Sequence, residues 1–273
     1  MSSASCFTNK VALITGSSSG IGAETAIQLA KRGCHVAITG RNQQRLGDVK
    51  RQCEEAGGTA VKVHAMCGDI TDTDFTKSLV DSTVSILGPI DILVNNAGGT
   101  GGAKAALLEQ SVMADYDGFM DLNARSAVEI TKLCIPSLKQ TKGNIVNISS
   151  VASTVPIFGY YGMAKAALDY FTKMAAHELG PAGIRVNSVN PGVIKTNIMI
   201  ASRGVSQEQS DKMYEQFRDR SLLNEYGMPK DIADAVMYLV GDTGRFITGH
   251  CLVVDGGSLL KGAFGASAFR NQE

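Results

Sequence analysis

The chain has 273 residues, with 26 basic and 26 acidic side chains and no formal net charge, so it is no polycation for nucleic acid or an anionic lipid surface. Hydrophobic residues make up 44%, enough for a full core, yet the longest apolar runs, such as 11–14 and 92–94, fall far short of the roughly 20 residues of a membrane-spanning helix. Glycine is in surplus, 30 residues against 6 prolines, which is unlike a disordered linker and points to a fold needing backbone without a Cβ.

Six cysteines (Cys6, Cys34, Cys53, Cys67, Cys134, Cys251) are scattered without a C-x-x-C pair, and four histidines (His35, His64, His177, His250) lack H-E-x-x-H spacing. No metal site is expected. The opening MSSASCFTNK has no apolar h-region, so a cytoplasmic protein with reduced thiols is expected.

In chain order, the first predicted strand is KVALIT (10–15). It runs directly into Gly16-Ser17-Ser18-Ser19-Gly20-Ile21-Gly22 and a helix at 21–32. Unpaired N–H groups and the dipole at such a helix start favour a pyrophosphate, and glycines let it approach. The turn also reads G-x-S-x-G around Ser18, as in a hydrolase nucleophile elbow. That motif needs an oxyanion loop from an earlier strand, and only fifteen residues precede Gly16.

The second strand, CHVAIT (34–39), ends Thr39-Gly40-Arg41-Asn42, with no acid until Asp48. An NAD site places Asp or Glu there for the ribose hydroxyls, whereas a 2′-phosphate wants Arg, so NADP(H) is favoured with Arg41 as its clamp. Helices follow at 42–56 and 72–86, separated by the strand TAVKVHAM (59–66). Then come DILVN (91–95), one long helix at 115–140, GNIVNIS (143–149), a helix at 160–179 and IRVNSVN (184–190). Irregular sequence at 191–206 leads into a polar helix at 207–220; the stretch 191–226 reads as a substrate-lid insertion. A helix at 230–240 and the strand HCLVVD (250–255) complete the pattern. Continuous apolar strands alternating with amphipathic helices predict an α/β fold, a single domain over 1–273 with a doubly wound, seven-stranded parallel sheet and helices on both faces.

The helix after the fifth strand opens Tyr161-Gly162-Met163-Ala164-Lys165. Residues four apart share a helix face, and the cation is expected to pull the tyrosine pKa below its usual value of about 10, making Tyr161 a general acid/base. Tyr226 and Lys230 have the same spacing, but Pro229 disfavours helix at Met228 before it, so they need not share a face.

TGSSSGIG (15–22), NNAG (95–98), Asn123 in DLNARSA, NISS (147–150), YGMAK (161–165) and NPGVIKT (190–196) occur in this order over nearly the whole chain. Together they resemble the short-chain dehydrogenases/reductases. The resemblance implies a Rossmann-type sheet, a homotetramer or homodimer, and an Asn-Ser-Tyr-Lys catalytic group of Asn123, Ser150, Tyr161 and Lys165. In it Tyr161 would give the proton to a carbonyl oxygen as hydride leaves the nicotinamide. Lys165 would assist it and bind the nicotinamide ribose, Ser150 would hold the substrate oxygen, and Asn123 would hold a water linking Lys165 to solvent. Tyr161 and Lys165 thus also count among the cofactor contacts. The others implied are Gly16, Ser18, Ser19, Gly20, Ile21 and Gly22 in the turn, Arg41 and Asn42, Asp69 and Ile70 beside the adenine, Asn96, Ala97 and Gly98, and Pro191, Gly192, Ile194 and Thr196 at the carboxamide.

Three departures stand out. Ser150 lies close before Tyr161, so Ser149 is a second candidate hydroxyl. Ser19 stands where many NADP-dependent members carry a basic residue, leaving Arg41 largely unaided and unopposed. Asn224-Glu225-Tyr226 replaces an arginine many members have. The expected reaction interconverts a ketone or 3-oxoacyl compound and a secondary alcohol. An apolar pocket of Val155, Ile157, Phe158, Met199, Ile200, Met213, Tyr214 and Phe217 would favour a hydrophobic substrate. The alternatives are an NAD(H)-dependent alcohol or steroid dehydrogenase of the same family, and a dinucleotide-binding sensor or scaffold without turnover.

Overall fold

The computed structural model describes residues 7–100, 112–156, 158–196 and 206–262. Seven strands form one sheet in the order β3-β2-β1-β4-β5-β6-β7. They are β1 (Val11–Ile14), β2 (His35–Gly40), β3 (Val63–Cys67), β4 (Ile92–Asn95), β5 (Asn144–Ile148), β6 (Arg185–Pro191) and β7 (Cys251–Val254). Every pairing is parallel; Leu13 of β1, for example, lies between Ala37 of β2 and Leu93 of β4.

Both faces of β1 are covered. Ala12 and Ile14 point into a core with Leu29 of α1 (Gly20–Lys31), Leu46 of α2 (Gln43–Gly57) and Val236 of α8 (Pro229–Val240). Val11 and Leu13 point the other way, toward Leu79 of α3 (Thr73–Leu87), Ile130 of α5 (Ser126–Thr141) and Leu168 of α6 (Gly159–Leu179). Leu13, Ile14, Leu29 and Ile38 are fully buried, each side chain stabilising the fold by about 1.5–3 kcal/mol. That two-sided burial is why the strands read as unbroken apolar runs.

Most predicted boundaries shift by one or two residues, and two elements differ more. The strand read from residue 59 starts at Val63, because Gly58–Ala60 forms a short 3-10 turn in which Gly58 takes φ +65°. The helix read as 115–140 is α4 (Met113–Met120), a π-helical turn at Asp121–Arg125, and then α5. In line with Pro229 disfavouring helix before it, Met228 is extended (φ −108°, ψ 158°) and Tyr226 precedes α8, while Lys230 pairs with Asp234. Within the insertion, 197–205 lies outside the described residues, and α7 (Gln207–Arg218) follows. Among the described residues, no helix is long and apolar enough to cross a membrane.

The sheet order reverses between β2-β1 and β4-β5. Connections from neighbouring strands leave in opposite directions there, opening a crevice at the carboxyl ends, where doubly wound sheets bind ligands.

Candidate active site

A cavity of about 740 Å³ occupies this crevice, running from the glycine-rich turn after β1 to Tyr214 and Phe217 of α7. The turn's shape follows from its residues. Gly16 (φ +62°) and Gly20 (φ +59°) hold left-handed conformations, and a Cβ on Gly16 would lie 2.7 Å from the Ala97 backbone. Ser17 is fully buried; its hydroxyl donates to the Ile14 carbonyl at 2.8 Å and accepts from the Thr39 amide at 2.9 Å, pinning the turn to β2. Asn96 pins the other side, its amide donating to the carbonyls of Thr15 (2.9 Å) and Gly16 (3.0 Å). Ser19 precedes α1 in extended conformation without a side-chain cap bond, and the first turn of α1 carries no acid. The helix start therefore meets the cavity as an electropositive end.

Arg41, Asn42, Arg45, Asp69 and Ile70 line the far end of the cavity. Asn42 caps α2, its Oδ1 accepting from the Arg45 amide at 2.9 Å. The expectation of an unopposed Arg41 is corrected, and a second arginine shares its end of the cavity. Arg45 stands one turn behind it on the cavity wall, and Asp69 Oδ2 lies 3.8 Å from the exposed Arg41 guanidinium. The Asp69 carboxyl is held below the usual range, mainly by the Thr71 backbone amide, with Arg41 a lesser contributor.

Phe158, Ser149, Ser150, Tyr161 and Lys165 form the opposite wall. Tyr161 and Lys165 are both buried, and the Lys165 Nζ lies 5.6 Å from the Tyr161 ring centre. The two candidate serines differ in their bonds. Ser149 Oγ is buried and donates to the Lys165 carbonyl at 3.2 Å, whereas Ser150 Oγ accepts from the Ala152 amide at 3.1 Å and is the hydroxyl that acts on the Tyr161 phenol. Phe158, non-glycine but left-handed at φ 57°, stands edge-on to Tyr161 with ring centres 6.4 Å apart. Such local strain is characteristic of functional sites.

The expected lowering of the Tyr161 pKa is not what the structure shows. Burial pushes the phenol up to about 12, and the Ser150 hydrogen bond only partly opposes this. Burial likewise drives Lys165 down to about 8 against the opposing pull of Asp169. The cause is that both groups have left water; the ammonium is turned to the Ile148 carbonyl, to which it donates at 2.9 Å.

Two expected site residues stand behind the wall. Gly22 packs where a Cβ would meet Asn96 Nδ2 at 2.4 Å and the Gly16 carbonyl at 2.7 Å, so its lack of a side chain serves helix-to-turn packing. Asn123, 1% exposed at the π-helical turn, gives its amide to backbone: Oδ1 accepts from the Gly99 amide at 3.0 Å, while Nδ2 donates to the carbonyls of Gly99 (3.2 Å) and Phe119 (3.1 Å). It braces the loop after β4 rather than facing the cavity. The other expected residues all line the cavity, including Pro191, Gly192, Ile194 and Thr196.

Of the expected apolar pocket, Phe158, Tyr214 and Phe217 line the cavity. Val155 packs instead against Val151, and Met213 is half-buried off the lining; Ile157, Met199 and Ile200 lie outside the described residues. Tyr214 ties α7 to the segment that follows β6, its hydroxyl donating to the Thr196 carbonyl (3.1 Å) and accepting from the Thr196 amide (3.2 Å). Sequence reasoning missed Arg45, Ser17 and this tether. Only the position of Arg45, one turn after Arg41, could have flagged any of them.

Comparison with known proteins agrees with this geometry. A family model described as enoyl-(acyl carrier protein) reductase matches residues 16–258. The chain is 34% identical over 257 residues to the 3-oxoacyl-[acyl-carrier-protein] reductase of Thermotoga maritima, covering 92% of this chain and 98% of the relative. A short-chain dehydrogenase/reductase of unknown function from Caenorhabditis elegans, solved with cofactor, superposes with a TM-score of 0.88 at 36% identity, covering 93% of this chain and 96% of that one. L-sorbose reductase from Gluconobacter frateurii, complexed with NADPH and L-sorbose, superposes with a TM-score of 0.85 at 28% identity, covering 94% and 98%. With its seven-stranded parallel sheet and glycine-rich first turn, this chain belongs to the short-chain dehydrogenase/reductase family of oxidoreductases.

Proposed function

We propose that this chain is an NADP(H)-dependent oxidoreductase that interconverts a ketone or 3-oxoacyl compound and the secondary alcohol, with Tyr161 as general acid/base. The observation that carries this reading is that Ser150, Tyr161 and buried Lys165 share one wall of the cavity that ends at the start of α1, with the ammonium 5.6 Å from the phenol ring centre. The fit of a dinucleotide rests on the glycine cradle. At Gly98 a Cβ would crowd Asn123 Oδ1 (2.8 Å) and Lys165 Nζ (3.1 Å), and at Gly16 the Ala97 backbone, so the wall is kept bare of side chains. Two arginines and no acid at the β2 end support NADP(H) over NAD(H). A relative that reduces 3-oxoacyl groups and a neighbour solved with NADPH and a sugar add to that support.

A reduced nicotinamide dinucleotide, held by the glycine turn, Arg41 and Lys165, would supply the hydride chemistry when bound. The protein does the rest. Ser150 donates to the substrate oxygen and orients it. Burial keeps the Tyr161 phenol protonated at neutral pH, and its proton passes to that oxygen as negative charge develops there. Lys165, protonated below about pH 8, places a cation beside the resulting phenolate. Phe158, Tyr214 and Phe217 favour a hydrophobic carbonyl compound.

Reduced, buried Cys34, Cys53 and Cys134 fit a cytoplasmic setting. The exposed stripe of Met163, Tyr170 and Met174 along α6 supports assembly of copies into a homotetramer or homodimer, which light scattering would test. The reaction is tested with a panel of ketones and alcohols, NADPH and NADH side by side. Alcohol formed in step with NADPH consumed is the expected result; no turnover across the panel would refute the reading.

A further inference from the structure

Asp169 lies one turn beyond Lys165 on α6, and its carboxylate is engaged with β6. Oδ2 accepts from Asn190 Nδ2 at 2.7 Å, and Oδ1 lies 3.3 Å from Ser188 Oγ, a longer contact that shares the hydroxyl's one proton with Asn190 Oδ1. Asn190 is 1% exposed. Its amide nitrogen also donates to the Ser150 carbonyl at 3.3 Å and to Ser153 Oγ at 3.2 Å, while its Oδ1 accepts from Ser188 Oγ at 2.7 Å. A carboxylate only accepts, so it fixes which end of the Asn190 amide faces it. The charge-assisted bond to Asp169 is the shortest contact of this nitrogen, whose second proton is shared between the Ser150 carbonyl and Ser153 Oγ, and it sets the amide's direction. The turn carrying Ser150 is therefore attached through Asn190 to α6, the helix that carries Tyr161 and Lys165.

We propose that Asp169 is a positioning residue for the reaction: through Asn190 it holds the Ser150 turn against Tyr161, and its carboxylate serves as the counter-charge one helical turn from Lys165. The inference rests on the carbonyl-reductase reading above. Its electrostatic part agrees with the direction in which Asp169 acts on Lys165, opposing the effect of burial. The other titratable neighbour of this carboxylate is Cys251 of β7, whose thiol is raised mainly by burial and which also feels Lys173. A neutral thiol and an exposed lysine leave Lys165, one helical turn back on α6, as the buried cation on which Asp169 acts. A network that only stabilised the fold would not require a charge at this position.

The test uses the full chain with NADPH and a carbonyl substrate from the panel. Asp169→Asn keeps the shape and loses the charge, Asp169→Glu keeps the charge, and Asn190→Ala keeps the carboxylate but cuts its link to Ser150. In Asp169→Asn, NADPH affinity should stay within about twofold, kcat should fall about tenfold, and the alkaline limb of kcat/KM should move down by about half a pH unit or more. Asp169→Glu should restore the limb, and Asn190→Ala should lower kcat without moving it. Folded Asp169→Asn with wild-type kcat and an unmoved limb overturns the inference, as does folded Asn190→Ala with wild-type kcat should Asp169→Asn fail to fold. An active wild type with wild-type-like variants defeats this inference alone. A wild type that reduces no carbonyl compound defeats the functional reading and this inference with it.

Discussion

Arg41 and Asp69 face each other at 3.8 Å across the rim of the cavity, the arginine from the end of β2 and the aspartate from the end of β3. Exposed on both sides, the pair contributes little to stability, and Arg41 is free to exchange a distant carboxylate for a 2′-phosphate. Arg41→Asp should weaken NADPH binding about tenfold or more and NADH binding far less, since a charge-assisted bond contributes about 1.5–3 kcal/mol. Titration by the fluorescence of the reduced cofactors reads both affinities in a protein without tryptophan. Equal weakening of the two would remove the phosphate-clamp argument.

Gly98 gives a steric test of the catalytic wall. A methyl there meets Asn123 Oδ1 at 2.8 Å and Lys165 Nζ at 3.1 Å, neither of which has room to retreat because both side chains are buried. Gly98→Ala should cut kcat/KM about tenfold or more by displacing the ammonium. Thermal unfolding should move far less than activity. Unchanged kinetics would show that Lys165 need not hold this position.

The pH dependence has a definite sign. Lys165 is drawn down to about 8 while Tyr161 stands near 12, so on raising pH the ammonium loses its proton first. Carbonyl reduction should hold below about pH 8 and fall above it, the limb belonging to the coupled pair. A kcat/KM profile flat to about pH 10 would contradict this role for the lysine.

Much of the fold was legible because a parallel sheet covered on both faces leaves apolar runs, and all seven expected strands are present in one parallel sheet. The break at Asp121–Arg125 was not legible. The apolar pattern runs on through it, and the feature beside it is tertiary, Asn123 bonding to Gly99 some twenty residues away. Site residues announced by helix spacing or glycine turns, such as Tyr161, Lys165 and Gly16, do meet at the cavity. The raised Tyr161 pKa was hidden for a different reason. Spacing shows that a cation is near, but not that burial outweighs it. Asp169 was invisible too, since its significance depends on β6 lying against α6.

The central claim is that Tyr161 delivers the proton, and Tyr161→Phe tests it most directly, by removing one oxygen from a buried ring. Measured together, NADPH binding should stay close to wild type while carbonyl reduction falls by about a thousandfold or more, the scale of a lost general acid. A variant that binds NADPH and reduces the same substrate at the wild-type rate would contradict the mechanism.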